Sequence, residues 1–229
     1  MIQPDAQIYD YLTAVQPLYD GVLGDIQQEC LRERLPMIRP ETARALGAIL
    51  SLKPPRDVLE IGCAVGFSAG LIARYLAEGG HITTIDRFAY MIEEAKKNFH
   101  RLGLEDTVTL LEGHAQDIVP GLSGPYDFIF LDAAKAQYMP LLSHCMRLLR
   151  KGGLFIADDV LQGGSVASPR LSVPRRQRTT HARMRSFLWA ISHASGLESS
   201  ILTVGDGMAV CVKTADNVVF EEIDFDVFA

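Results

Sequence analysis

The chain is poor in cysteine, and the four cysteines that it contains are scattered. Cys30, Cys63, Cys145 and Cys211 form no C-x-x-C pair, which is the spacing typical of zinc sites and redox motifs. Isolated thiols of this kind are typical of a reducing compartment. The cysteine pattern therefore argues against a disulfide framework and predicts reduced thiols in a cytoplasmic protein.

The sequence also shows no targeting segment and no membrane-spanning segment. The first residues, MIQPDAQ, contain neither the basic region nor the apolar segment that begins a signal peptide. No uninterrupted apolar run approaches the roughly 18 residues that predict a membrane span. We therefore expect no signal peptide and no attachment to a membrane.

Acidic residues outnumber basic ones, and the two kinds are unevenly distributed. The formal net charge is −6, which argues against wholesale binding of nucleic acid. Residues 165–188 nevertheless contain six arginines and no acid: Arg170, Arg175, Arg176, Arg178, Arg183 and Arg185. The last twelve residues hold four acids: Glu221, Glu222, Asp224 and Asp226. A basic segment on an acidic protein is thus a feature that the function has to explain.

The 229 residues, 48% of them hydrophobic, are typical of one α/β domain with a large core. We divide this domain into cap helices over residues 1–52, a main unit over residues 53–215 and an acidic tail over residues 216–229. Amphipathic spacing predicts the cap helices at residues 8–18 and 41–52.

From residue 57 onward, short apolar runs alternate with stretches of helical spacing, which predicts a doubly wound, mostly parallel sheet with helices on both faces. The predicted strands cover residues 58–61, 81–86, 107–112, 126–131 and 154–157. One predicted helix follows the first strand and ends near residue 76. Three more cover residues 89–102, 139–149 and 180–194. Residues 199–204 and 208–213 flank a Gly-Asp-Gly turn and predict a hairpin that adds one antiparallel strand.

The turn after the first strand is the first candidate for a binding site. Gly62 and Gly66 are spaced G-x-x-x-G, and the G-x-G-x-x-G pattern that holds a dinucleotide pyrophosphate is absent. Glu60 places a negative charge beside this turn, which disfavours a phosphate ligand. A cationic or zwitterionic ligand such as S-adenosylmethionine fits better.

Acids follow three of the predicted strands, at the edge where open α/β sheets bind their ligands. Asp86 follows Gly62 by 24 residues, near the offset at which an acid binds a ribose diol, although it could instead cap the next helix. Asp132, Asp158 and Asp159 could meet at a divalent cation (magnesium, manganese or calcium), which would offset their repulsion. The alternative is that these three also cap helices.

Five segments together resemble the metal-dependent O-methyltransferases, the family of the catechol and caffeoyl-CoA O-methyltransferases, which have a Rossmann-like fold. They are residues 58–68 (VLEIGCAVGFS), 84–86 (TID), 113–117 (GHAQD), 131–138 (LDAAKAQY) and 156–160 (IADDV). Each motif is weak alone, and the combination is specific.

The resemblance implies a role for each matching residue. Glu60, Gly62 and Ser68 would line the methionine part of S-adenosylmethionine, Asp86 would hold the ribose, and Ala115 and Gln116 would flank the adenine. Further cofactor contacts would come from Ile38, Cys63, Gly66, Arg87 and Asp132. Asp132, Asp158 and Asp159 would bind the metal, although the family usually has Asn at the position of Asp159.

Lys135 would be the general base, with Asp132 as its catalytic neighbour. Lys135 follows Asp132 by three residues, so both side chains can enter one cleft, where a divalent cation should lower the pKa of the lysine. The alternative is an exposed surface lysine at the start of a helix.

The acceptor is expected to carry two adjacent oxygens, as in catechols, caffeoyl esters and 5-hydroxyuridine. The arginine-rich segment suits a phosphate backbone, and the chain most resembles the bacterial tRNA 5-hydroxyuridine methyltransferases, with Arg175, Arg176 and Arg178 as acceptor contacts. A small catechol-like molecule or coenzyme A ester is the alternative acceptor, and the arginines could instead form a mobile loop or a dimer contact.

A non-catalytic S-adenosylmethionine-binding protein is a second alternative, and an NAD dehydrogenase is disfavoured by the missing phosphate motif. The resemblance also implies a homodimer.

Overall fold

A computed structural model describes residue 11 and residues 14–221 of the chain. Seven strands form the sheet: β1 (Asp57–Ile61), β2 (His81–Asp86), β3 (Val108–Glu112), β4 (Tyr126–Leu131), β5 (Leu149–Ala157), β6 (Leu197–Leu202) and β7 (Met208–Lys213). The helices are α1 (Gly21–Glu33), α2 (Pro40–Leu52), α3 (Phe67–Ala73), α4 (Ala89–Leu102), α5 (Ala115–Ile118), α6 (Tyr138–Leu148) and α7 (Arg178–His193).

The strands lie in the order β3-β2-β1-β4-β5-β7-β6. All neighbours from β3 to β5 are parallel, whereas β7 runs antiparallel to both β5 and β6. This arrangement confirms the predicted α/β sheet with one antiparallel strand from a C-terminal hairpin.

Apolar side chains cover both faces of the sheet, as expected for buried parallel strands. On one face, Val58 and Phe128 pack in a core that includes Leu46 of α2. On the other face, Leu59 packs in a core that includes Phe187 of α7. The helices before β1 thus share a core with the sheet, and the division into cap, main unit and tail stays a prediction.

The sheet reverses its winding between β1 and β4, and the turns after these two strands meet there. The backbone N–H of Asp132 donates to the carbonyl of Ile61 at 2.9 Å. Gly62 has φ +103°, and a Cβ built on it would lie 2.1 Å from the carbonyl oxygen of Asp132. This junction is where ligands of open α/β sheets bind.

The prediction missed α1. Gly21 and Gly24 lower its helix propensity, and the sequence around them resembles a turn. Burial of Leu23, Ile26 and Cys30 against the sheet's first core outweighs that cost. Of the helix predicted for residues 8–18, residues 8–10, 12 and 13 lie outside the described residues; residues 11, 14 and 15 are helical, whereas residues 16–18 are not. Most of the acidic tail also lies outside the described residues.

The predicted start of the fifth strand was also wrong. Residues 151–153 (KGG) were expected to lie between the helix at residues 139–149 and the strand at residues 154–157, but they lie inside β5, which begins at Leu149. The pairing with β4 shifts there, from Tyr126 opposite Leu149 to Phe128 opposite Leu154. The two glycines therefore form a bulge within a strand rather than a stop before it.

Smaller differences affect element ends. The helix after β1 ends at Ala73 instead of residue 76, and β6 begins and ends two residues earlier than predicted. The predicted bounds of β2, β4, β7 and α4 are confirmed, and Gly103 ends α4 in the left-handed conformation. Within the described part of the chain, no helix has the length and apolar character needed to cross a bilayer.

Candidate active site

A cavity of about 560 Å³ opens at the carboxyl ends of β1, β2 and β4. Pockets of roughly 300–1,000 Å³ typically hold small molecules. Eight of the eleven predicted cofactor residues line this cavity: Ile38, Gly62, Cys63, Ser68, Asp86, Arg87, Ala115 and Asp132. Asp159, a predicted metal ligand, lies in the same wall.

Asp86 fixes the backbone on one side of the cavity. Its Oδ2 accepts hydrogen bonds from the N–H groups of Cys63 and Ala64, at 3.1 and 2.8 Å. Its Oδ1 accepts from the N–H groups of Arg87 and Phe88, at 2.7 and 3.0 Å. A carboxylate has about four acceptor positions, so these backbone groups use most of them. Asp86 therefore organises both turns around the cavity, and its contact with a ribose stays a prediction.

Glu60 lies behind the cavity wall rather than in it. Its side chain is fully buried and accepts a hydrogen bond from Thr84, while its Oε1 has no partner among the described residues. Burial, partly offset by hydrogen bonds from Ser68 and Thr84, raises the pKa of Glu60 to about 7. The structure thus gives Glu60 a place beneath Ser68, and the predicted direct contact with the methionine part remains untested.

The pKa of Glu60 makes stability depend on pH. An unfolded glutamate loses its proton near pH 4.5, whereas the folded chain keeps it until about pH 7. The folded chain binds more protons between these values, so its stability falls as pH rises through that range, by about 3 kcal/mol at most. Urea unfolding at pH 5 and pH 8 should show this fall, and Glu60→Gln should make it smaller by the contribution of Glu60, while the contribution of Asp158, whose pKa is also raised to about 7, remains. The same pH dependence in both proteins would contradict the assignment.

The end of the cavity beside α4 contains residues that the sequence analysis missed. Phe88 and Met91 line the wall, and the guanidinium of Arg87 lies 4.5 Å from the centre of the Phe88 ring. Phe88 is 57% exposed, which is unusual for a large apolar side chain. No signal in the sequence indicated this exposure. Gln116 is exposed and lies outside the cavity wall. Gly66, the N-cap of α3, also lies outside the wall, but it is buried.

A lysine surrounded by oxygen atoms lies just outside the opposite end of the cavity, beside Asp132 and Asp159. Lys135 lies in the turn between β4 and α6, and its Nζ is 2.9 Å from Asp132 Oδ1 and 3.4 Å from Asp159 Oδ2. It also lies 2.9 Å from the hydroxyl of Tyr138. The predicted alternative of an exposed surface lysine is therefore wrong, because the side chain is only 21% exposed and bonded within the cleft.

The charges at this end shift the protonation of their neighbours. Burial lowers the pKa of Lys135, but Tyr138 and the carboxylates of Asp132 and Asp159 more than offset this, so that the pKa lies above its ordinary value. Burial, together with the charges of Asp132 and Asp159, raises the pKa of Asp158 to about 7. In the chain alone, Lys135 is therefore an ammonium ion rather than a base.

The three predicted metal ligands do not form one ready-made group. Within residues 14–221, no three acidic, histidine or cysteine side chains converge at a common point. Asp132 and Asp159 converge on the ammonium of Lys135, whereas Asp158 Oδ1 lies 3.5 Å from Thr42 Oγ1. The predicted site of three aspartates is thus assembled only in part.

The residues present still suit a divalent cation. The carboxylates of Asp132 and Asp159 both contact the one ammonium ion of Lys135, so the cleft has an excess of negative charge when both are ionised. Magnesium is usually bound through one or two carboxylates and keeps several waters, so Asp132 and Asp159 would suffice. The donor set is made of hard oxygen ligands, which magnesium, manganese and calcium prefer.

Arg178, one of the predicted acceptor contacts, bonds to the backbone of the segment before it. Its Nε and Nη2 donate to the carbonyls of Val173 and Leu171, each at 3.0 Å. Arg183 is similarly used, since it donates to the carbonyl of Ala136 beside Lys135 at 3.1 Å. These guanidinium groups hold the segment before α7 and the turn after β4 in place, and the contact of Arg178 with an acceptor stays a prediction.

The other predicted contacts, Arg175 and Arg176, are exposed, as is Arg170. In the part of the chain that the structure describes, these three side chains make no hydrogen bond or ion pair. They remain available to an external anion.

Comparison with known proteins agrees with this geometry. The profile of the O-methyltransferase family matches residues 20–214. A catechol O-methyltransferase from Niastella koreensis is 31% identical over 184 residues, which cover 76% of this chain and 81% of that protein. A caffeoyl-CoA O-methyltransferase from Stellaria longipes is 27% identical over 219 residues, 90% of this chain and 89% of that protein.

A solved structure gives the same result. The O-methyltransferase from Bacillus cereus in complex with SAH (S-adenosylhomocysteine) superposes with a TM-score of 0.78 at 26% identity, over 91% of this chain and 97% of that one. The family profile spans the helices α1 and α2 before the sheet, the whole sheet and every residue of the cleft around Lys135. The chain belongs to the O-methyltransferase family.

Proposed function

We propose that this protein transfers the methyl group of S-adenosylmethionine to a hydroxyl of a small acceptor with two adjacent oxygens, and that it needs a divalent cation. The observation that carries the proposal is a single cavity with two different ends. Asp86 and Phe88 lie at one end, and Asp132 and Asp159 lie at the other, beside Lys135.

The cavity supports S-adenosylmethionine as the cofactor. The related Bacillus cereus O-methyltransferase binds S-adenosylhomocysteine, the product that the cofactor leaves behind. Glu60, buried with one oxygen unpartnered, favours a cation nearby, and the cofactor carries both an ammonium and a sulfonium group. Phe88 and Met91 offer an apolar surface for the adenine.

Lys135 accepts the proton of the acceptor hydroxyl in this proposal. Its amine has to be neutral to do so, whereas the surrounding carboxylates favour the ammonium form. A divalent cation bound by Asp132 and Asp159 would supply the positive charge that offsets these carboxylates and stabilises an oxygen anion.

The transfer itself then requires correct placement of the two reactants. The acceptor oxygen attacks the methyl carbon in line with the carbon–sulfur bond, that bond breaks, and the sulfur keeps the electron pair. The proton ends on Lys135 Nζ and leaves to solvent. The cleft contributes mainly by holding donor and acceptor in this geometry.

The relatives support a catechol-type acceptor. The two relatives described above are a catechol and a caffeoyl-CoA O-methyltransferase, and each match extends over three quarters of this chain or more. Adjacent oxygens fit the cleft because both can face one cation.

RNA that carries 5-hydroxyuridine is the second candidate, and the exposed arginines favour it. Arg170, Arg175 and Arg176 lie on the loop that follows Asp159, and guanidinium groups pair with phosphate. Phosphate contacts would also suit a coenzyme A ester.

The test compares acceptors with the full-length protein, labelled S-adenosylmethionine and magnesium. Catechol, caffeoyl-CoA and tRNA containing 5-hydroxyuridine are offered separately, to the wild type, to Arg175→Glu/Arg176→Glu and to the control Arg32→Glu. We expect the wild type to methylate catechol, and we expect the rate of Arg175→Glu/Arg176→Glu (the loop variant) with catechol to stay within about twofold of the wild-type rate. Methylation of tRNA alone, lost in the loop variant and kept in the control, would favour RNA. Cofactor binding without transfer to any acceptor would contradict the proposed activity.

A further inference from the structure

Tyr138 connects three parts of the candidate active site. It is the first residue of α6, and its side chain is fully buried. The ring packs edge-on against Phe187 of α7, with the ring centres 5.4 Å apart. The hydroxyl, in contrast, reaches the carboxyl ends of β4 and β5, where it meets Lys135.

The hydrogen bonds of this hydroxyl have a fixed direction. It lies 2.8 Å from the carbonyl of Asp158 and 3.2 Å from that of Leu131, and Lys135 Nζ lies 2.9 Å away. Backbone carbonyls can only accept, so the phenol proton has to point to one of them, and the shorter contact is that with Asp158. The phenol oxygen is then left as an acceptor for an N–H of Lys135.

We propose that Tyr138 is a positioning residue that holds the amine of Lys135 for proton transfer; the inference rests on the proposed function, in which Lys135 is the base. A free lysine side chain samples many rotamers, and holding it in one conformation costs entropy. Asp132 and Tyr138 each accept one N–H of Lys135, so two directions of the nitrogen are occupied. The remaining N–H of the ammonium ion faces the longest contacts of Nζ, Asp159 Oδ2 at 3.4 Å and the Asp158 carbonyl at 3.5 Å, so the lone pair lies on that side once the proton is lost.

The same hydroxyl also holds the corner that carries the carboxylates. By donating to the carbonyl of Asp158, it ties the end of β5 to Lys135 and to β4. The next residue, Asp159, has φ +55°, a conformation that is uncommon for aspartate and needs support from its surroundings. Tyr138 therefore fixes the relative position of the amine and of Asp159.

A purely structural role for Tyr138 predicts something different. The ring fills space against Phe187, and phenylalanine would fill nearly the same space. If packing were its whole contribution, loss of the hydroxyl would lower the melting temperature and leave the chemical step unchanged. Tyr138→Phe therefore separates the two roles.

The test is a double-mutant cycle with Tyr138→Phe, Lys135→Ala and the double variant of the full-length protein, with kcat measured on catechol by product mass spectrometry. We expect Tyr138→Phe to lower kcat about 10- to 100-fold, since small misplacements of a catalytic group have effects of this size. The KM for S-adenosylmethionine should change by less than about threefold. In the Lys135→Ala background, the same substitution should change kcat by less than about twofold, because coupled residues are not additive.

Phe187→Leu is the matched control. It disturbs the same ring packing and leaves the hydroxyl in place, so it should lower the melting temperature while kcat stays within about threefold of the wild type. A kcat of Tyr138→Phe within twofold of the wild type, with Lys135→Ala impaired, would overturn this inference alone. An equal loss from Tyr138→Phe in both backgrounds would also overturn it. Wild-type activity in Lys135→Ala would instead overturn the proposed function.

Discussion

Replacing Lys135 with methionine is expected to lower kcat for methyl transfer by about 10²- to 10⁴-fold, the range that a general base typically contributes. Methionine keeps an unbranched side chain of similar length, so the cleft should stay filled. Lys135 lies outside the cavity wall, so the Kd for S-adenosylmethionine should change by less than about threefold. Isothermal titration and a steady-state assay with catechol measure the two effects separately.

Lys97→Met is the control for this substitution. Lys97 is exposed on α4 and pairs with Glu94, so its removal should leave both quantities unchanged. A Lys135→Met protein that transfers methyl groups at the wild-type rate would remove Lys135 from the reaction. A protein that no longer binds the cofactor would mean instead that the lysine shapes the cavity.

Gly62→Ala is expected to destabilise the fold strongly, by about 3–5 kcal/mol, because a steric collision adds to an unfavourable φ. The new Cβ would lie 2.1 Å from the carbonyl oxygen of Asp132, and the backbone there has φ +103°. Neither side of the contact can move freely, since the N–H of Gly62 donates to Ile85 and the N–H of Asp132 donates to Ile61. Domains are stable by only about 5–15 kcal/mol, so chemical denaturation should show a large shift.

Gly103→Ala separates the collision from the backbone strain. Gly103 also has a positive φ, +66°, but a Cβ there would meet nothing within 4 Å. Its replacement should therefore cost about 1 kcal/mol, the strain of the left-handed conformation alone. Equal losses in the two variants would show that the approach of the β1 and β4 turns does not limit the residue at position 62.

Most of the sheet could be predicted because its strands are short apolar runs that end at a glycine or an acid. The pattern gave correct bounds for β2, β4, β7 and α4. It failed where tertiary packing outweighs local preference, as in α1, whose two glycines resemble a turn. It failed also at Gly152 and Gly153, since a glycine pair can end a helix or form a bulge, and only the neighbouring strand decides which.

The positions along the backbone that surround the candidate site could be predicted from the sequence. The carboxyl ends of parallel strands share one edge of the sheet, and open α/β sheets bind their ligands there. This rule predicted that Asp86, Asp132 and Asp159 lie at the binding cavity, and all three line it. Side-chain directions could not be predicted: Asp158 faces Thr42, and Arg178 bonds to its own loop. The family resemblance implied that Glu60 lines the methionine part; its side chain is fully buried and outside the cavity wall, and that contact stays a prediction. The expected dimer stays a prediction, since one chain contains no interface.

The electrostatics of the cleft could not be predicted from the sequence either. The pKa of Lys135 was expected to be lowered beside a divalent cation, which stays a prediction; in the chain alone this pKa lies above its ordinary value because carboxylates surround the amine. The same carboxylates make a cation favourable at this place. Proton acceptance by Lys135 and cation binding by Asp132 and Asp159 are therefore linked requirements of one account.

The dependence of methyl transfer on a divalent cation tests this account most directly. The full-length protein, S-adenosylmethionine and catechol are combined after treatment with EDTA, and magnesium is then added back in excess. We predict that the chelator lowers the rate of methylated product formation by at least about 100-fold, the effect expected when a required cation is lost, and that magnesium restores it. An undiminished rate in the presence of the chelator would contradict the account.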